Sequence, residues 1–192
     1  VKAENKVELT AGLSRESYIS TIDELQGEIQ MGNIYEVTFC QEFYAENCKI
    51  SPLPTYFALN NITKATFSCF VEWEGRYLLS ASPERFLKRE GHRLFTQPIK
   101  GTAKRGTTPV KDERLKTELL ASEKERAENV MIVDLVRNDL SRIADRNSVQ
   151  VDELFGVYTF ETVHQLISTV SATINEEVSV LEILKALFPM GS

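Results

Sequence analysis

The chain predicts an α+β fold, largely antiparallel sheets with flanking helices. Three observations carry the prediction. Short β-rich runs follow one another at hairpin spacing, turned by Glu74-Gly75 and Glu90-Gly91. Apolar residues at helical spacing are confined to a few stretches instead of alternating with every strand, so no regular βαβ pattern emerges. Finally, 192 residues with 42% hydrophobic and 26% charged content suit a packed core and exclude intrinsic disorder.

The first element is a helix with Ser14 as its N-cap. Tyr18, Ile22, Leu25 and Ile29 recur on one face, and Gly32-Asn33 ends it. Ile34 to Tyr44 is β-rich, and Pro52 and Pro54 punctuate a loop. Ala65–Glu72 with Arg76–Ala81 forms one expected hairpin, and Arg85–Lys88 with Arg93–Gln97 a second. Gly101 to Pro109 is expected as a loop rich in Gly, Thr and basic residues. Helix runs from about Asp112 to Ala144 in two pieces, with Ser122 as the second N-cap. Val149–Phe160 and Val163–Ala172 are strands, and Ser179–Phe188 is a closing helix. There is no internal repeat, low-complexity stretch or Gly/Ser linker to mark a domain boundary.

Charge narrows the function classes. A net charge of −6, from 22 basic and 28 acidic residues, disfavours a nucleic-acid backbone or a basic membrane patch. No apolar run approaches the roughly 18–20 residues of a membrane span. The chain start, Val1-Lys2-Ala3-Glu4-Asn5, lacks the apolar stretch of a signal peptide. Cys40, Cys48 and Cys69 are odd in number, which points to reduced thiols in a cytoplasmic setting. Cys40 and Cys69 lie in apolar runs and are expected to pack as small hydrophobes.

Four clusters have chemical potential, and each has a plainer reading. Glu125 and Glu128 stand one turn apart at the entry to the apolar stretch Val130–Val136, which is expected to be buried. They can hold a hard cation that prefers oxygen ligands, or they are solvated acids favoured at a helix N-terminus. Asp134 and Arg137 fit a structural ion pair. Glu84, after Pro83 at a strand end, can be a general acid or a turn carboxylate paired with Arg85. Lys100, between Ile99 and Gly101, can be a desolvated nucleophilic amine or part of a basic surface loop. His164 is either a satisfied core histidine or a site residue.

Taken together the clusters are specific. Ser82-Pro83-Glu84-Arg85-Phe86, Pro98-Ile99-Lys100-Gly101-Thr102, Glu125-Arg126-Ala127-Glu128-Asn129 leading into Ile132-Val133-Asp134-Leu135-Val136-Arg137-Asn138-Asp139-Leu140, and Val163-His164-Gln165-Leu166 occur in that order. The order resembles the chorismate-utilising enzymes, which include anthranilate synthase component I, aminodeoxychorismate synthase component I, and the isochorismate and salicylate synthases. The resemblance runs from about Ser14 to Ser192. It implies residues 1–13 as a lead-in, and 14–192 as the N-terminal portion of a chorismate-binding catalytic domain truncated at its C-terminus. The helix exit Phe188-Pro189-Met190-Gly191-Ser192, with no element following it, carries the expectation of a fragment.

The resemblance also implies roles. Glu128 matches a Mg²⁺ ligand, Glu125 its supporting acid, Glu84 the general acid for the departing hydroxyl, and His164 the histidine near the substrate. Gly101 and Thr102 line the substrate pocket. Lys100 stands where anthranilate and isochorismate synthases usually carry Ala and where aminodeoxychorismate synthase component I carries Lys. Glu36 replaces the water-activating lysine of isochorismate synthases, and departs mildly from the Gln common in aminating members. The implied activity is amination of chorismate to 4-amino-4-deoxychorismate, for para-aminobenzoate and folate synthesis. The implied partner is a glutamine amidotransferase supplying ammonia. The rivals are anthranilate synthase component I, and a catalytically silent fragment that only binds the amidotransferase subunit.

Overall fold

A computed structural model, which describes residues 7–190, divides the chain into two compact units, one ending at Pro83 and one beginning at Glu84. No linker composition announces the division; a single proline stands at it. Residues 1–6 of the expected lead-in, and Gly191-Ser192 of the expected exit, lie outside the described residues.

The first unit begins with β1 (Thr10–Ala11) and α1 (Arg15–Gln30). Ser14 caps α1 as its sequence predicts, its hydroxyl accepting from Ser17 N at 3.1 Å. β2 is only Phe43–Tyr44, paired antiparallel with β1. The expected strand over Ile34–Tyr44 is otherwise irregular. The Pro-punctuated loop is in fact helical: α2 spans Pro52–Thr63. Its prolines occupy the first turn, where backbone N–H groups have no intrahelical acceptor and a fixed φ costs nothing. β3 (Phe67–Trp73) and β4 (Arg76–Ser82) form the predicted hairpin, with Trp73 opposite Arg76. Glu74 (φ 49°) and Gly75 (φ 75°) are both left-handed, the backbone that a two-residue hairpin with matching twist requires. Cys40, Cys48 and Cys69 are free and exposed, so the two expected to be packed are not.

The second unit holds β5 (Arg85–Glu90), β6 (Arg93–Gln97), β7 (Ile99–Lys104), α3 (Pro109–Ala121), α4 (Glu123–Ser141), β8 (Gln150–Thr159), β9 (Val163–Thr173) and α5 (Val180–Leu187). β9 is the organising strand: β6, β7 and β8 all pair with it antiparallel, and β5 pairs with β6. β6 and β7 follow one another along the same edge of β9, with Thr96 opposite Val170 and Ile99 opposite Ile167. Pro98 interrupts them because it has no N–H to donate; its carbonyl still accepts from Ser168 N at 3.2 Å. From Gly101 to Lys104, β7 is strand where the sequence suggested a loop. Its ladder partner lies some sixty residues away, so no local pattern reveals it.

Residues of even number on β9 face the helices. Val170, Ala172 and Ile174 join Leu94, Ile132, Val133, Val136, Leu140, Ile183 and Leu187 in one buried cluster. α4 therefore buries one stripe, not its whole surface. Ile132 is 0% exposed, whereas Val130 and Met131 are 38% and 39% exposed, which corrects the expectation that all of Val130–Val136 is buried. Asp134 and Arg137 form the expected surface ion pair at 2.9 Å. Ser122 both ends α3 and caps α4, accepting from Glu125 N at 3.4 Å.

Candidate functional site

β7 carries the centre of the site. Between Ile99 opposite Ile167 and Thr102 opposite Gln165, the register shifts by one residue, so Lys100 and Gly101 form a bulge. Bulges re-aim side chains out of the pleat and are enriched beside active sites. Gly101 has φ +97°, a conformation that favours glycine.

Two acids flank the bulge. Glu84, immediately before β5, accepts the Ile99 N–H with its Oε1 at 3.0 Å, which places its carboxylate one residue from Lys100. On the other side, a Cβ built on Gly101 would stand 3.1 Å from Glu125 Cβ and 3.2 Å from Glu125 Oε2. Gly101 thus lets α4 and its carboxylate come against the strand. Glu84, Lys100, Gly101 and Glu125, separated by up to about forty positions in the chain, meet on one strand. Next to Glu84, Arg85 Nε donates to Gln97 Oε1 at 3.0 Å. Glu84 and Lys100 are both half-buried.

Glu125 and Glu128 share a face of α4, and the Lys124 ammonium lies 3.9 Å and 3.6 Å from their Oε1 atoms. A cation is thus already drawn to this pair. Oxygen-only ligands, two carboxylates with room for water and substrate oxygens, suit Mg²⁺. Among the described residues no group of three or more His, Cys, Asp or Glu forms a complete protein cage.

His164 falls on the other side of the strand from Thr102. Thr102 is opposite Gln165, on the odd-numbered face of β9, while His164 is opposite Ala103 on the helix-packed face. His164 is 0% exposed, and both ring nitrogens are engaged: Nε2 is 2.9 Å from Asp112 Oδ1, and Nδ1 is 2.9 Å from Thr159 Oγ1. His164 is thus buried with both ring nitrogens satisfied, on the face of β9 that packs against the helices. In the sequence Arg105 reads only as part of a basic loop, Gln165 only as part of its motif and Asp112 only as a helix start. Strand register and the fold of the loop after β7 bring Gln165 opposite Thr102, and Arg105 and Asp112 to His164. Arg105 donates to both Asp112 oxygens, which with the Gly106 N–H holds the Asp112 carboxyl far below the usual carboxylate range.

The sequence matches the family described as chorismate binding enzyme over residues 2–192. This chain belongs to that family. It is 45% identical over 93% of its length to an aminodeoxychorismate synthase of Streptomyces griseus, covering 25% of that protein. It is 39% identical over 95% of its length to aminodeoxychorismate synthase component 1 of Escherichia coli, covering 40% of that protein. The family member therefore spans well under half of the relatives it matches. Anthranilate synthase component I from Streptococcus pneumoniae superposes with a TM-score of 0.85 at 28% identity, over 97% of this chain and 41% of that one. The α+β, largely antiparallel fold of the chorismate-utilising enzymes is thus the fold seen here. No helix among the described residues is long and apolar enough to cross a membrane.

Proposed function

We propose that the chain contributes the amination half-site of an aminodeoxychorismate synthase component I. The observation that carries the reading is Lys100 on the β7 bulge, one residue from the Glu84 carboxylate and next to the Gly101 contact with Glu125. In this reading the unprotonated Lys100 amine attacks C2 of the chorismate ring. The ring double bonds shift, the C4–O bond breaks, and Glu84 gives its proton to the departing hydroxyl, which leaves as water. Glu84, now a carboxylate, takes the proton that the Lys100 nitrogen loses, which leaves a neutral adduct. Ammonia then forms the C4–N bond, the double bonds shift back, the C2–N bond breaks, and Glu84 returns its proton to the departing lysine amine; the new C4 ammonium group is that of 4-amino-4-deoxychorismate. The ammonia comes from a glutamine amidotransferase partner, in the cytoplasm, for para-aminobenzoate and folate synthesis.

Glu125 and Glu128 would hold Mg²⁺, which neutralises and orients a chorismate carboxylate. Gly101 keeps the strand close enough to α4 for that carboxylate and the Lys100 amine to reach one substrate. Thr102, exposed at the odd-numbered face, offers a hydroxyl to the substrate. The same fold in anthranilate synthase component I favours a second reading, anthranilate formation, and Lys100 separates the two. Incubating the full-length protein that carries this chain with chorismate, ammonium and Mg²⁺ tests both; the chain of residues 1–192 by itself is expected to be inactive. The first reading expects 4-amino-4-deoxychorismate and a chorismate-derived mass on the peptide containing Lys100. Anthranilate plus pyruvate, or an adduct on another peptide, overturns it.

A further inference from the structure

We propose that Asp112 is a positioning residue of this site: it clamps the end of β7 to β9 by accepting the Nε2–H of His164 together with the N–H groups of Arg105 and Gly106. The inference rests on the reading of Lys100 above.

One carboxylate gathers three segments. Its Oδ1 accepts from Gly106 N at 2.6 Å, Arg105 Nε at 2.9 Å and His164 Nε2 at 2.9 Å, and its Oδ2 accepts from Arg105 Nη2 at 2.8 Å. Arg105 also reaches across to the β8–β9 turn, donating Nη1 to the Phe160 carbonyl at 2.7 Å. The loop after β7, the first turn of α3 and the start of β9 therefore meet at Asp112. Gly106 is pressed so closely on α3 that a Cβ there would lie 2.3 Å from Asp112 N, which leaves room for glycine alone.

The proton position follows from the donors. An ionised carboxylate only accepts, so the hydrogen between His164 and Asp112 sits on Nε2. Nδ1 has the Thr159 hydroxyl as its partner. His164 spends both nitrogens on this network and acts on the substrate only through what it holds.

What it holds is the register of β7. A bulge weakens the alternation that otherwise fixes a strand, and the Lys100-Gly101 bulge takes up the second and third residues of a six-residue strand. Each end is pinned by an acid: Glu84 takes the Ile99 N–H at one end, and Asp112 takes Arg105 and Gly106 just past the other. Lys100 is thus aimed from both sides.

The chain has two histidines, so nitrogen-15 labelling of histidine resolves His164 against one internal reference. That reference is His92, half-exposed and 3.2 Å from Glu176. The expected spectrum shows the hydrogen on His164 Nε2 in the wild type. In Asp112→Asn that signature and the amide-exchange protection of 101–104 are lost, while His92 is unchanged. In the amination assay, kcat of Asp112→Asn falls about a hundred-fold with KM for chorismate little changed, and Asp112→Glu restores part of it. An unchanged His164 signature in Asp112→Asn overturns the proposal, as does a lost signature with unchanged kcat. If Asp112→Asn does not fold, Arg105→Lys, which keeps the charge but not the fork, is read by the same criteria. A wild type that aminates nothing refutes the proposed function alone; the His164 Nε2 signature and the β7 protection then still decide the clamp.

Discussion

Ser168 on β9 donates its hydroxyl to Asn129 on α4 at 2.5 Å, and neither residue reaches water. Asn129 Nδ2 in turn donates to the Leu166 carbonyl at 3.3 Å, and Ser168 Oγ accepts from Phe155 N at 3.1 Å. A buried amide thus fastens the helix bearing Glu125 and Glu128 to the central strand. Asn129→Ala strands the Ser168 hydroxyl and opens a cavity, so it should cost about 3 kcal/mol in urea denaturation. A loss below about 1 kcal/mol would mean the helix is held by its apolar stripe alone.

Gly101→Ala tests the close approach of β7 and α4. The added methyl meets Glu125 and Leu166 at 3.1–3.2 Å while the backbone stays at φ +97°. Stability should fall by about 1–3 kcal/mol in thermal unfolding. Unchanged melting would show that β7 can shift away from α4 freely.

Acid should weaken the protein partly through Asp112. Its folded-state pKa is depressed, first by Arg105, then by the Gly106 N–H, with His164 adding to it. A depressed carboxylate contributes stability that is complete above its unfolded pKa of about 4 and is lost as pH falls below it. The urea midpoint should therefore drop on acidification below about pH 4. In Asp112→Asn that drop should be shallower, starting from a lower midpoint at neutral pH. Parallel acid limbs for the two proteins would show that Asp112 gains nothing from its donors.

Glu84→Gln and Lys100→Ala should each reduce amination by about 100-fold or more, with chorismate affinity largely kept. Product analysis at high enzyme concentration measures this. Near wild-type turnover in Lys100→Ala would remove the covalent step from the reaction.

Much of the fold is legible in local pattern, because it is decided locally. Ser14, Ser122 and Ser179 announce helix starts, and the hairpin at Glu74-Gly75 needs only its two turn residues. The misreadings share one cause. Pro52 and Pro54 read as breakers, yet a helix tolerates them in its first turn. The strand character of 101–104 depends on pairing with 163–165, and a bulge at Lys100 erases its alternation. At the site, Lys100, Glu84 and Glu125 were visible as residue types in order. Their meeting through Ile99 and Gly101 was not, since it needs β7 laid against α4. His164 was ambiguous for the same reason: which face it takes follows from register, and one of its two partners, Asp112, lies far away in sequence.

The arrangement of β6 and β7 along one edge of β9 also sets an order in time. Leu94 must wait for Ala172, and Ala103 for His164, so on a chain leaving the ribosome β7 cannot dock fully before Ile167 has been made, nor β6 before Thr173. Closing such long loops precedes any reward from pairing, which makes this sheet slow to form. Until then Glu84 and Lys100 belong to a hairpin and an unpaired segment. The site is therefore born late, as one of the last features of the second unit to take shape.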